Sequence, residues 1–162
     1  MTLEQQWPQI RSVFEQATTL LIASVSSDGY PHVTPIGSLY LRDDCTGYYL
    51  ERFPVGLVKN LEHDDRVEAF ALNGKPGTWL SALVRGRFRE VPGGRLRGRA
   101  GARREATAEE RERWARKVHR LRWTKGHGLL WGDMRHARDI RFEAFEPIVL
   151  GAMTAGLWEA RS

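Results

Sequence analysis

The sequence predicts a mainly β domain of the α+β class, in which an antiparallel sheet is flanked by helices. Between Leu20 and Leu72, short runs of β-branched and apolar residues alternate with turns that contain Gly, Asp and Pro, which is the spacing of consecutive hairpins. Helical periodicity is found mainly at the N-terminus and after Thr107. The 162 residues are enough to bury a core, so we expect a single domain over 1–162.

Residues 2–16 predict a helix that covers one end of the sheet. Its apolar side chains recur at helical spacing, namely Leu3, Trp7, Ile10, Val13 and Phe14. Thr2 can cap this helix, whereas Pro8 lies inside the pattern and cannot donate a backbone hydrogen bond. We therefore expect either one helix that starts near Pro8 or two short turns that flank it.

Four runs in the first half of the chain predict strands, and they cover residues 20–26, 32–41, 48–53 and 66–72. The first two flank a turn over 27–31 that contains Asp and Gly, so they predict a hairpin. Pro54 and Gly56 end the third run. Leu57 and Leu61 then fit one or two turns of helix before the fourth run begins.

The stretch 78–91 predicts a long strand because its residues alternate between apolar and charged. Four side chains are expected to face the core, namely Leu80, Ala82, Val84 and Phe88. Three arginines, Arg85, Arg87 and Arg89, are expected to face solvent. The next stretch, 92–104, reads PGGRLRGRAGARR and is so rich in Gly and Arg that we interpret it as a flexible loop.

A second helix is predicted from Thr107, since Thr107 and Glu110 have the spacing of a capping box. We expect it to end near Gly126, with Trp114, Val118 and Leu121 on its inner face, so that 92–125 is a basic loop and helix inserted into the domain. The structure of 126–139 is left open. The stretch 140–150 predicts the last strand, with Ile140, Phe142 and Ala144 inward, and a tail follows in which Trp158 can reach a neighbour.

The chain contains one cysteine, Cys45, so an intrachain disulfide is excluded, which suits a reducing compartment. We find neither a secretory signal pattern nor an apolar run of the ~20 residues that a membrane span requires. These observations predict a cytoplasmic protein without a membrane partner.

Positive charge is concentrated between Arg85 and Arg138, where 17 Lys and Arg face 6 Asp and Glu. A field of this sign attracts phosphate groups, acidic substrates or nucleic acid. The nucleic-acid hypothesis depends on the Arg-rich stretch and on Trp123 and Trp131 as stacking platforms. It is the least favoured interpretation because the region contains no recognisable nucleic-acid motif.

Established catalytic motifs are absent from the sequence: it has no Gly-x-Ser-x-Gly elbow, no His-Glu-x-x-His, no Walker-type phosphate loop and no cysteine pair. The five histidines are scattered, and we predict no metal site. His127 and His136 are the two that a haem or metal would use, although exposed or hydrogen-bonded histidines are the simpler interpretation.

Three stretches carry a family resemblance: SSDGYPHVTPIG (residues 26–37), YYLERF (48–53) and KNLEHDDRV (59–67). In this order and spacing they resemble the FMN-binding split barrels related to pyridoxamine 5'-phosphate oxidase. The resemblance implies a six-stranded antiparallel split β-barrel with flanking helices. It also implies a homodimer that binds FMN at its interface.

The resemblance further implies an oxidoreductase whose flavin passes electrons to a small organic acceptor or to oxygen. A non-enzymatic flavin or haem binder, acting as a carrier or sensor on the same barrel, is the alternative. A deazaflavin would use much the same cleft as FMN. No catalytic residue is assigned.

The resemblance also suggests which residues surround the cofactor. Along the flavin ring it places His32, Val33, Thr34, Pro35 and Ile36, and beside the ribityl chain and phosphate it places Glu51, Arg52 and Phe53. The helix start contributes Leu57, Val58, Lys59 and Asn60. From the second chain, Trp131 or Trp158 is expected to contact the flavin. One position departs from the family, because Leu57 stands where a Lys or Arg usually holds the phosphate. Arg52, Lys59 and the free backbone N–H groups of residues 55–57 are then the expected phosphate ligands.

Overall fold

The computed structural model describes residues 1–53 and 55–158. Its five α-helices in these ranges are α1 (Leu3–Glu15), α2 (Val55–His63), α3 (Pro76–Arg85), α4 (Ala108–Val118) and α5 (Lys125–Trp131). Its seven strands are β1 (Thr19–Val25), β2 (Pro31–Pro35), β3 (Tyr40–Leu41), β4 (Thr46–Glu51), β5 (Arg66–Leu72), β6 (Gly93–Glu105) and β7 (His136–Pro147). Short 3₁₀ turns lie at His119–Leu121 and Gly151–Thr154.

All seven strands belong to one antiparallel sheet with the order β2-β1-β5-β6-β7-β4-β3. The two edge strands, β2 and β3, do not pair with each other in the described ranges, so the sheet is not closed. This architecture confirms the predicted α+β split barrel. The strand count is seven instead of six, partly because the run predicted over 32–41 is divided into β2 and β3.

The core lies between the inward face of the sheet and helices α1 and α2. Ile22, Leu96 and Ile140, from three different strands, are almost fully buried there. Helix α1 begins at Leu3, not near Pro8, with a capping box between Thr2 and Gln5. Burial of its apolar face compensates for the hydrogen bond that Pro8 cannot make.

The prediction of a strand over 78–91 was wrong, since this region contains helix α3. Pro76 stands at the first helical position and Gly86, with φ +69°, ends the helix in the left-handed conformation. The helix is held by Ala82, which is buried, and by Trp79, whose ring packs edge-on against Phe88 at 5.1 Å. Leu80 and Val84, which we expected in the core, are 64% and 80% exposed.

The prediction of a flexible loop over 92–104 was also wrong, because these residues form β6 at the centre of the sheet. Glycine is needed in this strand for close packing: a Cβ atom at Gly93 would clash with the carbonyl oxygen of Ala71, and one at Gly98 with that of Arg141. Arg97 and Arg99 of β6 are exposed and pair with carboxylates on or next to β5 and on β7. The inserted unit is therefore a strand followed by a helix.

The C-terminal half otherwise follows the predicted pattern. The capping box of Thr107 and Glu110 is present, and α4 ends at Val118, before the predicted end. Strand β7 begins at His136, four residues earlier than expected, and buries Ile140 and Phe142. Trp158 packs on Phe145 of its own chain, with 4.7 Å between the ring centroids. No helix in the described ranges has the length and apolar character to cross a bilayer.

Candidate functional site

The first turn of α2 lies beside the edge strand β2. Pairing with β1 puts His32 opposite Ser24 and Thr34 opposite Ile22, so these side chains share one face, while Val33 and Pro35 belong to the other. Helix α2 is fixed to the first face by Asn60, whose Nδ2 donates a 2.9 Å hydrogen bond to Ser24 Oγ. We call His32, Thr34, Arg52 and Gly56 the α2 cradle.

Gly56 keeps the backbone of the cradle open. A Cβ atom at this position would lie 3.0 Å from both Cε1 and Nε2 of His32, so the imidazole ring lies directly over the first turn of α2. The first N–H groups of a helix lack intrahelical acceptors and carry a partial positive charge. The N–H group of Val55, which we expected to be free, donates to the Phe53 carbonyl oxygen at 2.7 Å. Within the described residues, the N–H groups of Gly56 and Leu57 are the ones left at this helix start for an anion that enters beside His32.

We include Arg52 in the cradle because it is a cation that follows β4 and precedes α2 closely in the chain. Its guanidinium carbon lies 4.7 Å from the centroid of the Phe53 ring. Its Nη1 atom is shielded from solvent and has no hydrogen-bond partner among the described residues. Buried donors of this kind are almost always paired, so an acceptor from outside the chain, such as a phosphate oxygen, fits this position.

Several of the predicted site residues belong to the core instead of the surface of the cleft. Leu57 is fully buried, and Ile36 and Asn60 are also buried. A lysine or arginine in place of Leu57 would place its charge inside the apolar core, which explains physically why this chain lacks the usual cation. Of the other helix residues, Val58 is half-buried and Lys59 is exposed.

Glu51 is 1% exposed, and its carboxylate is already bound. It accepts hydrogen bonds from Arg138 Nε at 2.9 Å and from Tyr49 Oη at 2.8 Å, and Arg103 Nε lies 3.1 Å away. Burial, reinforced by Glu51, raises the pKa of Tyr49. The network fixes the end of β4, so that Arg52 leaves the sheet from a defined point.

Trp131 packs inside its own chain. Its ring lies edge-on to Trp114 at 6.2 Å and to His127 at 5.6 Å. Nearby, Lys117 Nζ donates a 2.8 Å hydrogen bond to the Gly37 carbonyl. Burial lowers the pKa of Lys117, and the positive charge of Arg113 lowers it further. The predicted contact between Trp131 of a second chain and a flavin stays a prediction.

A cavity of about 770 Å³ lies away from the cradle, between α1, the ends of β6 and β7, and the C-terminal segment. Arg95, Phe145 and Trp158 are among its lining residues. A groove of about 400 Å³ runs over β1, β5 and β6, and its lining includes Pro31 and Ser24, which neighbour His32 of the cradle. In one chain the cradle is thus an open edge and not an enclosed pocket.

The basic strand does not form a nucleic-acid surface of free charges. Arg97 pairs with Glu68 and Glu146 at 3.1 Å, and Arg99 pairs with Asp65 at 2.7 Å. Nor do the described residues contain a group of three His, Cys, Asp or Glu side chains suited to a metal ion. Sequence reasoning missed the partners of Glu51, because Arg138 lies 87 residues away and leaves no local signal.

Comparison with known proteins identifies the family and the fold of this chain. The sequence profile of the family described as Pyridoxamine 5'-phosphate oxidase matches residues 6–146. No curated protein matches the chain.

Solved structures with the same fold include three with low sequence identity. HupZ of Group A Streptococcus is 17% identical, with a TM-score of 0.58 over 87% of this chain and 92% of that chain. An FMN-binding protein from Syntrophomonas wolfei is 14% identical, with a TM-score of 0.62 and coverage of 90% and 88%. A structure described as F420 reductase is 14% identical, with a TM-score of 0.56 and coverage of 84% and 94%.

Proposed function

This chain belongs to the pyridoxamine 5'-phosphate oxidase family, and we propose that it binds FMN at the α2 cradle of a homodimer. The observation that carries the proposal is the shielded Nη1 atom of Arg52, which has no acceptor in the described part of the chain. This nitrogen lies on the residue that leaves β4 just before the start of α2. An anionic cofactor supplies the missing acceptor.

The residues of the cradle fit the phosphate end of a flavin mononucleotide. Arg52 would bind phosphate oxygens through its guanidinium group. The N–H groups of the first turn of α2 would donate to the same oxygens, and Gly56 leaves them accessible. His32 covers this turn and would separate the phosphate from bulk water. The buried side chains of Leu57 and Asn60 shape the base of the cradle.

We further propose that the FMN-bound protein is an oxidoreductase that acts on a small organic acceptor or on oxygen. A bound flavin supplies hydride or single-electron transfer, and the chain supplies binding, orientation and exclusion of water. The structural similarity to an F420 reductase supports this class of reaction only through the shared fold.

The homodimer is proposed because the cradle is open and an apolar surface lies next to it. Val33 is 55% exposed on the outward face of β2, where its partner in β1 is Ala23. Leu21 and Pro35 form the next pair on the same face. A second copy that covers this surface would close the cradle and bury the cofactor.

The alternative is a non-catalytic binder of a flavin, a deazaflavin or haem on the same barrel. One observation favours it, since the carboxylate of Glu51, the acid nearest to Arg52 in the chain, is committed to Arg138. The cradle therefore offers His32 as its one titratable side chain for proton transfer among the described members.

The test is the identity of the cofactor that copurifies with the protein. We expect flavin absorption bands from the purified dimer, release of FMN on denaturation as identified by mass spectrometry, and bleaching by a nicotinamide donor. Bands that no donor bleaches would support the non-catalytic binder. A Soret band would indicate haem, and a colourless protein that takes up no FMN on reconstitution would exclude the proposal.

A further inference from the structure

One edge of the molecule carries many cations and no acids. From Arg113 to Trp131 the sequence contains six Lys and Arg residues and no Asp or Glu. This stretch forms the second half of α4, the 3₁₀ turn at His119–Leu121 and helix α5. We call residues 113–131 the basic edge.

The same edge exposes large apolar side chains. Trp123 is 82% exposed and Leu129 is 73% exposed, and Leu121 and Leu130 are each about half exposed. Single exposed apolar residues are ordinary, but four of them within ten residues of one acid-free segment form a patch. Trp and Leu side chains beside Arg and Lys are typical of segments that lie in a membrane interface.

The cations of the basic edge are poorly neutralised by the rest of the chain. The ion pair found there within the described residues is Arg116 with Glu112, at 3.9 Å and with both side chains about 70% exposed. Arg120, Arg122 and Lys125 have no carboxylate partner in those ranges. On β6, by contrast, Arg97 and Arg99 are paired on both sides.

The patch is presented outward because the edge is anchored from its other side. Trp114 and Val118 bury the inner face of α4. Trp131 docks α5 onto Trp114, and within α5 the ring of His127 packs edge-on against Trp131. The apolar side chains of Trp123 and Leu129 remain largely exposed on this anchored segment.

We propose that the basic edge docks onto an anionic lipid surface, with the apolar side chains at the level of the acyl boundary and the cations among the headgroups. Charge complementarity selects a negative partner. The three leucines select an apolar phase, because aliphatic side chains neither stack on bases nor bond to phosphates. In a symmetric contact between two copies through this edge, like charges would face each other.

The experiment is cosedimentation of the full-length, cofactor-loaded protein with vesicles. The two vesicle types are phosphatidylcholine alone and phosphatidylcholine with phosphatidylglycerol at about three to one. We expect partitioning to the anionic vesicles to be at least about tenfold stronger, to fall in about 0.5 M salt, and to be accompanied by a blue shift in tryptophan emission. That shift should be absent in Trp123→Gln.

Two variants and two matched controls locate the contact. Leu129→Gln with Leu130→Gln, and separately Arg120→Gln with Arg122→Gln and Lys125→Gln, should each weaken partitioning by about tenfold. The first control, Leu80→Gln with Val84→Gln, removes two exposed aliphatic side chains from α3. The second control, Arg85→Gln with Arg87→Gln and Arg89→Gln, removes three charges elsewhere. Both controls should bind vesicles as the wild type does.

Four outcomes would overturn the proposal. Equal partitioning to the two vesicle types, or none, would show that the edge does not recognise anionic lipid. Equal losses of vesicle binding in variants and controls would show that the net charge of the protein, and not the basic edge, causes the binding. A change of oligomeric state in the Leu129 and Leu130 variant, measured without vesicles, would show that the apolar patch contacts a second copy of the chain. Salt-sensitive retention of RNA without vesicle binding would show that the basic edge binds nucleic acid.

Discussion

Arg138 on β7 and Arg52 after β4 are both close to the end of β4, yet their guanidinium groups have different surroundings. Arg138 donates to the buried carboxylate of Glu51. Arg52, the next residue after Glu51, has a shielded nitrogen without an acceptor in the described part of the chain. Arg138, whose carboxylate partner belongs to the chain, stabilises the fold. Arg52 Nη1 has no such partner in the described residues, and a ligand can supply the acceptor. Pairing therefore distinguishes structural arginines from candidate binding residues.

Arg138→Met should have the largest effect. It removes the main partner of a carboxylate that is 1% exposed, which leaves that charge uncompensated apart from Arg103. Loss of one member of a buried pair costs about 3–5 kcal/mol in the free energy of unfolding. Urea unfolding of the flavin-free protein measures it. A loss below about 1 kcal/mol is the value expected for an exposed ion pair. It would show that the Arg138–Glu51 pair is not a structural one, and pairing would then not distinguish structural arginines from binding residues.

Arg52→Gln should affect cofactor binding and spare the fold. We expect FMN affinity to fall by about tenfold to a hundredfold, since a charge-assisted contact to phosphate is lost. The free energy of unfolding of the flavin-free protein should change by only about 0.5 kcal/mol, because the contact that the described residues show for this side chain is its stacking on the exposed Phe53 ring. Titration followed by flavin fluorescence gives the affinity. The matched control is Lys59→Gln, which removes an exposed cation from α2. A larger loss of FMN affinity in that control would assign the phosphate site to Lys59.

Gly56→Asp and Gly56→Ala separate charge from steric hindrance at the same helix start. Either side chain meets the His32 ring at 3.0 Å, so that ring must move in both variants. Only Asp adds a negative charge beside the phosphate. We expect about a threefold loss of FMN affinity for Ala and at least about tenfold for Asp. Equal affinities in the two variants would show that no anion binds at this turn.

Asp139→Asn tests the half-buried network formed by the residue that follows Arg138 on β7. Hydrogen bonds from Arg104 and then Arg42, opposed by burial, lower the pKa of Asp139 from 3.8 to about 2. A carboxyl whose folded pKa is lowered stabilises the fold above its unfolded pKa and loses this contribution as the pH falls through the folded pKa.

The variant should therefore be less stable than the wild type by about 1 kcal/mol at pH 7, a modest figure because the side chain is half exposed. The difference in the free energy of unfolding should shrink between pH 4 and about 2. Thermal unfolding of both proteins across this range measures it. A constant difference would mean that the ionised carboxylate contributes nothing.

Local signals in the sequence predicted the elements whose determinants are local. The capping box at Thr107 and Glu110 gave the correct start of α4, and the strand Arg66–Leu72 was predicted with its observed bounds. The prediction for 78–91 failed because its apolar residues fit both the helical and the strand periodicity. The signals that favour a helix are Pro76 at its start and Gly86 at its end.

The central strand β6 could not be predicted from its own composition. Its glycines are required by the approach of neighbouring strands, and its arginines are neutralised by Glu68 and Glu146 from β5 and β7. Both facts are long-range. The same holds for the candidate site: the family pattern indicated Arg52 and His32, but which side chains are buried, as Leu57 is, depends on packing across the sheet.

Arg97→Gln should have the smallest effect, although Arg97 makes two ion pairs. Its side chain is 62% exposed, and its partners Glu68 and Glu146 are both also bound by Arg95. Solvent screening and the remaining partner limit the expected loss to about 0.5 kcal/mol or less in the free energy of unfolding. Urea unfolding at low and high salt measures it, with Arg138→Met as the reference. A loss above about 2 kcal/mol would show that the number of ion pairs, and not their burial, decides which arginines hold this fold together.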